Sequence, residues 1–205
     1  MDPIQVPICM RCPDRTPLRP EPAARSVRCR SCGWERAVSP YPLVLVTGES
    51  GAGKSTIAPI VRERLSVYRR SAVFDADLFL HHLDRGWTAW CNDWLLLAHA
   101  LGENDTVMVL FGCIDPELLA TAPARYLVSG LEVVLLDCGD RARISRLEAR
   151  PPWRGWDDEG IADCLARARA LRARPYFRID TTDESPVRSA DRCAEHLTRR
   201  ISEAV

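Results

Sequence analysis

The sequence predicts an α/β fold in which a five-stranded parallel sheet is flanked by helices and preceded by a small cysteine-rich unit. Five short apolar segments alternate with longer segments of helical character, and this alternation is typical of parallel sheets. A glycine-rich loop follows the first apolar segment, and two closely spaced cysteine pairs precede it. The predicted strands cover residues 41–47, 71–77, 106–112, 131–138 and 176–182.

Length and composition narrow the class of protein. The 205 residues allow one ordinary domain and a small appendage, and an apolar content of 46% is ample for a core. The formal net charge is zero, so no general attraction to nucleic acids or membranes is expected. No stretch approaches the ~18 apolar residues of a membrane span, and the start lacks the basic region of a signal peptide. We therefore expect a cytoplasmic protein with no membrane partner, in which paired cysteines indicate a metal more than disulfides.

The glycine-rich loop fits the Walker A pattern G-x-x-x-x-G-K-[ST] and lies between a predicted strand and a predicted helix, residues 57–70. In such a loop the backbone N–H groups cradle nucleotide phosphates at a helix N-terminus. We expect Lys54, the only lysine among 28 basic residues, to reach the β- and γ-phosphates and Ser55 to bind Mg²⁺. The predicted nucleotide-binding residues of the loop are Gly48, Glu49, Ser50, Gly51, Ala52, Gly53, Lys54, Ser55 and Thr56.

Two C-x2-C pairs separated by sixteen residues predict a metal site near the N-terminus. This spacing is typical of four-thiolate zinc sites, in which each pair lies on a tight turn and both pairs bind one tetrahedral ion. The predicted Zn²⁺ ligands are Cys9, Cys12, Cys29 and Cys32. The pattern resembles a zinc ribbon. We therefore divide the chain into a ribbon at 1–40 and a second domain at 41–205, with prolines at the boundary.

The sequence leaves the role of the ribbon open. Residues 1–40 carry a charge of about +1 once four thiolates and one Zn²⁺ are counted, and strong nucleic-acid binding relies on many cationic contacts. A nucleic-acid partner is therefore not favoured. A brace against the second domain, or a contact in a homodimer, is the preferred interpretation.

Two aspartates, Asp75 and Asp77, end the predicted second strand. Residues two apart on an extended strand point to the same side, and the carboxyl ends of parallel strands face the ligand crevice of an open α/β sheet. One carboxylate could hold Mg²⁺ through water while the other accepts the proton of an attacking hydroxyl. The alternative is a helix N-cap and a solvated charge.

A Walker A loop followed about twenty residues later by Asp-x-Asp resembles shikimate kinase and, more loosely, gluconate kinase and chloramphenicol phosphotransferase. These proteins are P-loop NTPases of the nucleoside- and nucleotide-kinase-like group. The resemblance covers residues 41–205 and implies ATP and Mg²⁺ as cofactors. It implies that Asp75 assists the Mg²⁺ and that Asp77 binds the acceptor hydroxyl, with either carboxylate able to take the proton.

A break in helical character at 150–158 resembles the lid that closes over ATP in these kinases. Arg146, Arg150 and Arg154 lie at the start of this break and within it. We expect these arginines to clamp the phosphates and to stabilise charge on the transferring group. A solvated arginine-rich face is the alternative.

The last predicted strand leads into a turn, residues 180–186, that resembles the D-T-[ST]…S-P turn of related small-molecule kinases. In those kinases the turn opens the final helix and touches the adenine ring with backbone groups. The resemblance therefore implies a nucleotide contact at Thr182.

Three tryptophans after the Asp-x-Asp, at 87, 90 and 94, recur on one helical face. We favour core packing for this face, and an aromatic wall over the substrate is the alternative. The cysteines outside the two pairs are expected to be small buried side chains. They are Cys91, Cys113, Cys138, Cys164 and Cys193.

Together these features predict an ATP-dependent phosphotransferase that moves the γ-phosphoryl group to a hydroxyl of a small molecule, such as a nucleoside, a sugar or another polyol. Catalysis would rest on positioning and on charge stabilisation by Mg²⁺, Lys54 and the lid arginines. Three alternatives stay open: a nucleoside monophosphate kinase, a polynucleotide or RNA 5′-kinase, and an ATP-switched module whose ribbon binds a partner.

Overall fold

The computed structural model describes residues 8–13, 16, 18–67 and 70–203. Part of the predicted ribbon (1–7, 14, 15 and 17) and part of the predicted helix 57–70 (68 and 69) lie outside the described residues. The described chain forms a three-stranded antiparallel sheet followed by a five-stranded parallel sheet. The strands of the small sheet, in spatial order, are β1 (Leu18–Glu21), β2 (Ser26–Cys29) and β3 (Glu35–Ala37).

The parallel sheet has the strand order β5-β6-β4-β7-β8, and every neighbouring pair is parallel. Its strands are β4 (Leu43–Thr47), β5 (Ser71–Asp75), β6 (Val107–Phe111), β7 (Leu131–Asp137) and β8 (Phe177–Asp180). All residues of β4 and β6 are buried. A strand covered on both faces needs a continuous apolar run rather than an alternating one. The predicted five-stranded parallel sheet is confirmed.

Helices follow each strand of the parallel sheet. The α-helices are α1 (Lys54–Leu65), α2 (Trp87–Gly102), α3 (Pro116–Ala120), α4 (Asp140–Glu148), α5 (Asp158–Arg172) and α6 (Pro186–Glu203). Short 3-10 segments cover Pro22–Ala24, Ala76–Arg85, Pro123–Leu127 and Pro152–Arg154. In the described part of the chain, none of these helices has the length and apolar character to span a bilayer.

Two apolar clusters cover the two faces of the parallel sheet, because successive residues of a strand point to opposite faces. On one face, α1 and α6 pack against Val44 and Val46 of β4, and we call this the α6-face cluster. On the other face, α2 and the segments near it pack against Leu43 and Leu45, and we call this the α2-face cluster.

The N-terminal unit belongs to the α2-face cluster. Its buried side chains Leu18, Val27 and Val38 pack in the same cluster as Trp90 and Trp94 of α2. Apolar packing is therefore continuous across residue 40, where the boundary between the two predicted domains falls.

Candidate active site

The Walker A loop follows β4 and turns directly into α1, and two glycines make this turn possible. Gly48 has a φ of +149°, and a Cβ placed on it would lie 2.1 Å from the carbonyl oxygen of Leu136. Gly53 has a φ of +93° and forms the N-cap of α1, so the helix begins at Lys54 and not at the predicted residue 57. Positive φ is cheap only for glycine, so the conformation of the loop requires both residues.

The Lys54 ammonium lies within the loop. Its Nζ donates to the carbonyl oxygens of Gly48 and Glu49, the latter at 3.3 Å. Burial lowers the pKa of Lys54, while the nearby Cys113 and Glu49 act in the opposite direction. An ammonium held by neutral carbonyls binds a charged phosphate oxygen more strongly, because hydrogen bonds between ions are the stronger ones.

Ion pairs support the back of the loop. Glu49 is buried and pairs with Arg167 of α5 at 3.1 Å. Arg143 of α4 is fully buried, donates to the Ser50 carbonyl at 2.6 Å and pairs with Asp137 at 2.8 Å. The side chain of Glu49, a predicted nucleotide-binding residue, is therefore committed to the scaffold.

A cavity of about 620 Å³ lies at the carboxyl end of the parallel sheet. Most of the loop residues predicted to bind nucleotide line this cavity: Ser50, Gly51, Gly53, Lys54, Ser55 and Thr56. The other three, Gly48, Glu49 and Ala52, are buried behind them.

Asp75 and Asp77 line the same cavity, but their local conformation differs from the prediction. β5 ends at Asp75, and Asp77 lies in the 3-10 segment that follows. The Asp75 carboxylate accepts a hydrogen bond from the N–H of Asp77 at 3.0 Å and so caps this segment. The expected extended pair is therefore wrong, because a carboxylate at the strand end offers an acceptor to the free N–H groups of the next turn. Both carboxylates nevertheless reach the cavity.

Arg146 of α4 joins the Walker A loop to the segment after β8. Its guanidinium donates to the carbonyl of Gly51 at 3.0 Å and to the carbonyl of Thr181 at 2.6 Å. It also lines the cavity. The predicted position of Arg146 beside the nucleotide is thus compatible with a second role in holding the two loops together.

Arg150 and Arg154 line the cavity from the segment between α4 and α5 that was predicted to be a lid. This segment contains the 3-10 turn Pro152–Arg154, and its closing motion stays a prediction. Partial burial, and then the charge of Arg154, lowers the pKa of Arg150. Two guanidinium groups that face one cavity repel each other, and an anion between them would relieve that repulsion.

The side chain of Thr182 forms hydrogen bonds within the fold, and the prediction for this residue concerns its backbone. Its Oγ1 accepts a hydrogen bond from the N–H of Gly139 at 2.8 Å and donates to Asp180 Oδ1 at 2.5 Å. The neighbouring Thr181, whose Oγ1 donates to the Ala52 carbonyl at 3.0 Å, lines the cavity instead. The side chain of Thr182 braces the turn, and the nucleotide contact of its backbone stays a prediction.

Cys113 corrects another expectation. It is exposed and lines the cavity, whereas the other four cysteines outside the two pairs are buried as predicted. Its position two residues after β6 places it where the chain leaves the sheet at the ligand crevice. That strand-end position is the signal that could have identified both Cys113 and the adjacent Gly112 as site residues.

The tryptophan face of α2 packs in the core. Trp90 and Trp94 are 2% and 0% exposed, whereas Trp87 is 49% exposed. The side chains that line the cavity, among the described residues, do not include these tryptophans. Core packing is confirmed for Trp90 and Trp94, and the aromatic wall over a substrate is not seen.

The four predicted zinc ligands converge on one point. Their Sγ atoms all lie within 4.8 Å of one another, with Cys9 and Cys32 3.7 Å apart and Cys12 and Cys29 3.4 Å apart. Thiolates bound tetrahedrally at about 2.3 Å lie about 3.8 Å from each other. The backbone N–H of Cys32 lowers the pKa of the Cys29 thiol to about 6, whereas hydrogen bonds with Cys29 and Cys32 raise the pKa of the Cys12 thiol to about 12, so it is the geometry of the four thiols that supports a metal. The donor set therefore fits Zn²⁺.

Sequence comparison identifies no relative, since no protein-family model and no curated protein matches this chain. Its structure, however, resembles solved ones. A sugar kinase from Janibacter sp. HTCC2649 gives a TM-score of 0.58 at 18% identity, over 77% of this chain and 95% of the other. The tunicamycin resistance protein of Deinococcus radiodurans gives 0.58 at 21% identity, with the same coverage. The APS kinase of Mycobacterium tuberculosis, solved with AMPPNP and APS, gives 0.51 at 20% identity, over 77% and 98%.

At these identities the likeness establishes a shared fold. This chain has the fold of P-loop small-molecule kinases, with four clustered cysteines that fit a zinc ribbon in front of it. The resemblance predicted from the Walker A loop and the Asp-x-Asp is confirmed at the level of the fold.

Proposed function

We propose that this protein transfers the γ-phosphoryl group of ATP to a hydroxyl of a small-molecule acceptor. The observation that carries the proposal is one cavity whose walls combine a Walker A loop, three arginines and three carboxylates, two of them, Asp75 and Asp77, at the end of β5 and just after it. This set supplies a phosphate cradle, cationic groups for charge stabilisation and a base in one place, and phosphoryl transfer needs all three.

The ATP end of the cavity is bordered by the loop and by the segment after β8. We infer that the loop N–H groups and Lys54 bind the β- and γ-phosphates, while Arg146 and Thr181 border the nucleoside. Ser55 and Asp75 would hold Mg²⁺, since a hydroxyl and a carboxylate are the oxygen ligands this ion prefers. The ion supplies neutralisation of phosphate charge when bound.

The lid arginines act on the transferring group in this proposal. Arg150 and Arg154 line the same cavity as the Walker A loop, and their mutual repulsion favours an anion between them. A guanidinium placed at the γ-phosphoryl oxygens stabilises the charge that spreads over them in the transition state.

We take the part of the cavity wall formed by Asp75, Asp77, Gly112 and Cys113 to be the acceptor end. These residues include two carboxylates and neither a lysine nor an arginine. Negative charge repels a phosphate acceptor but assists a neutral hydroxyl, whose proton a carboxylate can take. The charge at this end therefore favours a hydroxyl acceptor over the phosphate acceptor of a nucleoside monophosphate kinase. We assign the proton to Asp77, because the carboxylate of Asp75 already accepts the N–H of Asp77.

We further propose that Zn²⁺ is the ion of the four-cysteine cluster and that the ribbon acts as a brace. The convergence of the four thiols supports zinc. The packing of the ribbon in the α2-face cluster supports a structural brace rather than a nucleic-acid-binding role. None of the nine cysteines, all of which lie in the described part of the chain, forms a disulfide. A reducing compartment such as the cytoplasm suits that state.

The test removes the phosphate-binding ammonium. Lys54→Ala should lower phosphoryl transfer by about a thousandfold or more, because the lost charge stabilises the transition state. Transfer is measured as labelled product from γ-labelled ATP with glucose, ribose and uridine as acceptors, and zinc content by atomic absorption. Arg62→Ala, which removes an exposed cation from the same helix, is the matched control and should leave the rate unchanged. Full transfer by Lys54→Ala, with zinc retained, would overturn the proposed function.

A further inference from the structure

The helix α2 contacts the ribbon region at its C-terminal end. The backbone N–H of Ser39, in the linker after β3, donates to Nδ1 of His99 at 3.4 Å. Arg36 of β3 forms an ion pair with Glu103, the residue that caps α2. Ser39 and His99 are buried, so solvent competes little with the first contact, whereas the side chains of Arg36 and Glu103 are each 35% exposed.

The joint between α2 and the linker is also close-packed. A Cβ placed on Gly102, the last residue of α2, would lie 1.9 Å from Oγ of Ser39. Ser39 is buried, and its Oγ accepts a hydrogen bond from the N–H of Tyr41 at 3.2 Å. A displacement of the linker is therefore passed to α2, because close-packed interiors transmit strain.

At its other end, α2 holds the segment that carries Asp77. The indole N–H of Trp90 donates to the carbonyl of Phe79 at 2.9 Å. The Phe79 ring lies 4.5 Å from the ring of Trp94, measured between centroids. Phe79 has the non-helical φ of −108° and ψ of 23° that kink the segment Ala76–Arg85. The kink two residues after Asp77 is thus fixed by two tryptophans of α2.

The ribbon itself has few means of folding without its metal. Its strands are four, four and three residues long, and Cys9, Cys12 and Cys29 are buried within it. Short strands without a core of their own depend on a bound metal for their stability. The apolar side chains of the ribbon are buried only as part of the α2-face cluster.

We propose that the zinc-bound ribbon is a positioning element for the acceptor end of the cavity. Zinc holds the ribbon, the ribbon holds the C-terminal end of α2, and Trp90 and Trp94 hold the kink that places Asp77. The terms ATP end and acceptor end rest on the proposed function. The contacts that connect the ribbon through α2 to the segment with Asp77 do not depend on it. Trp90 and His99 are positioning residues in this scheme, since each acts through another residue.

The ATP end is expected to be independent of zinc. The helices α1 and α6 belong to the α6-face cluster on the other side of the sheet, and that cluster contains none of the described ribbon residues. The Walker A loop is braced by α4 and α5, through Arg143 and Arg167. Loss of the metal should therefore loosen the acceptor end and spare the nucleotide site.

Hydrogen exchange of the full chain, followed by mass spectrometry, tests this separation. Exchange is compared with zinc bound, after removal by a chelator and after zinc is restored. We expect about tenfold faster exchange in the ribbon, in α2 and in Ala76–Arg85, with α1 and α6 unchanged. Acceleration confined to the ribbon would overturn the proposal. Equal acceleration in α1 and α6 would overturn it as well, because the ribbon would then stabilise the whole domain.

Two variants locate the link. Cys32→Ser removes one ligand at an exposed position, so it should reproduce the effect of the chelator, and Ser31→Ala beside it is the matched control that keeps all four thiols. Trp90→Phe keeps the aromatic packing and removes the N–H. It should retain zinc and a protected ribbon while exchange in Ala76–Arg85 rises several-fold. Unchanged exchange in that segment would show that Trp90 does not position it.

Binding and kinetics separate this inference from the proposed function. The affinity for AMPPNP should be the same with and without zinc, and kcat/KM for a hydroxyl acceptor should fall several-fold on zinc removal while KM for ATP stays constant. An equal loss of AMPPNP affinity would overturn the inference even if phosphoryl transfer were observed. If Lys54→Ala retained full transfer, the proposed function would fall, whereas the exchange pattern would still decide whether zinc controls Ala76–Arg85.

Discussion

The two faces of the parallel sheet are built in different ways. The α6 face is covered by α1 and α6, two regular helices that pack against alternate residues of the strands. The α2 face is covered by one long helix, several short segments and a ribbon of three short strands. The α6 face is therefore covered by two continuous helices, whereas the α2 face is covered by segments that lie far apart in the chain.

In the proposed function, this difference separates nucleotide binding from acceptor positioning. The nucleotide end of the cavity is built on the loop after β4, on α1 and on the segment after β8, and α1 packs in the α6-face cluster. The acceptor end is built on the segment after β5, which α2 holds in place. We infer that ATP binding rests on a metal-independent scaffold and acceptor positioning on a metal-dependent one.

The largest expected effect isolates the acceptor end. Asp77→Asn should lower phosphoryl transfer by about 10²–10⁴-fold, because the amide cannot take the proton of the hydroxyl. The affinity for AMPPNP, measured by calorimetry, should stay within about twofold of the wild-type value. A tenfold weaker affinity would correspond to a loss of about 1.4 kcal/mol of binding free energy. Asp84→Asn, an exposed carboxylate in the same segment that does not line the cavity, is the matched control. Weakened AMPPNP binding by Asp77→Asn would contradict the functional separation of the nucleotide end from the acceptor end.

Two buried leucines, one on each face, compare the faces directly. Leu95 in the α2-face cluster and Leu197 in the α6-face cluster are fully buried, and either change to Ala should lower the free energy of unfolding by about 2–5 kcal/mol. The effect of zinc removal should be non-additive with Leu95→Ala and additive with Leu197→Ala, because only residues that share contacts are coupled. Denaturant unfolding of each variant, with and without zinc, measures the effects of the substitution and of zinc removal on the free energy of unfolding. Additivity in both variants would contradict a zinc-dependent α2 face.

A change in the Walker A loop should affect the nucleotide end alone. Gly48→Ala would place a methyl group 2.1 Å from the Leu136 carbonyl oxygen, and overpacking of this kind costs about 1–3 kcal/mol. We expect weaker AMPPNP binding and unchanged zinc content. Gly130→Ala, where the nearest atom would be 3.6 Å away, should bind AMPPNP as the wild type does.

The smallest expected effect concerns pH and the joint between α2 and the ribbon. Burial lowers the pKa of His99 below the ordinary value of about 6.5, with Glu103 opposing and Arg36 assisting the shift. His99 therefore binds a proton more weakly in the folded chain than in the unfolded chain. Stability should consequently fall as pH drops below about 6.5. Burial also lowers the pKa of His196 on the other face. The loss of stability between pH 7 and 6 should be smaller in His99→Gln than in the wild type. In the wild type and in His196→Gln this loss should differ between the zinc-bound and the zinc-free protein. In His99→Gln it should be the same with and without zinc.

The sheet, the Walker A loop and the four-cysteine cluster could be predicted because their signals are local. A continuous apolar run marks a strand buried on both faces, as in β4. The spacing of Gly48, Gly53 and Lys54 marks a loop whose backbone requires positive φ at the glycines. Two C-x2-C turns mark a tetrahedral site regardless of what packs around it.

The remaining details depend on contacts that no short segment contains. The contact of Ser39 with His99 joins residues 60 positions apart in the chain, so the brace between ribbon and α2 has no local signal. The cap formed by Asp75 shows that strand-end geometry is decided by the next turn rather than by the strand. Thr181 and Thr182 are adjacent, and only the fold decides that the first faces the cavity and the second braces the turn.

The most direct test of the account is the dependence of ADP formation on an acceptor. Wild-type protein with ATP and Mg²⁺ is assayed alone and with glucose, ribose, uridine or UMP, and the destination of the γ-phosphoryl group is followed with labelled ATP. We predict slow ADP formation without acceptor, and a rate that rises with a neutral hydroxyl compound as the label appears in that compound. Label appearing only as inorganic phosphate, at a rate that no acceptor changes, would contradict a kinase and indicate an ATP-switched module.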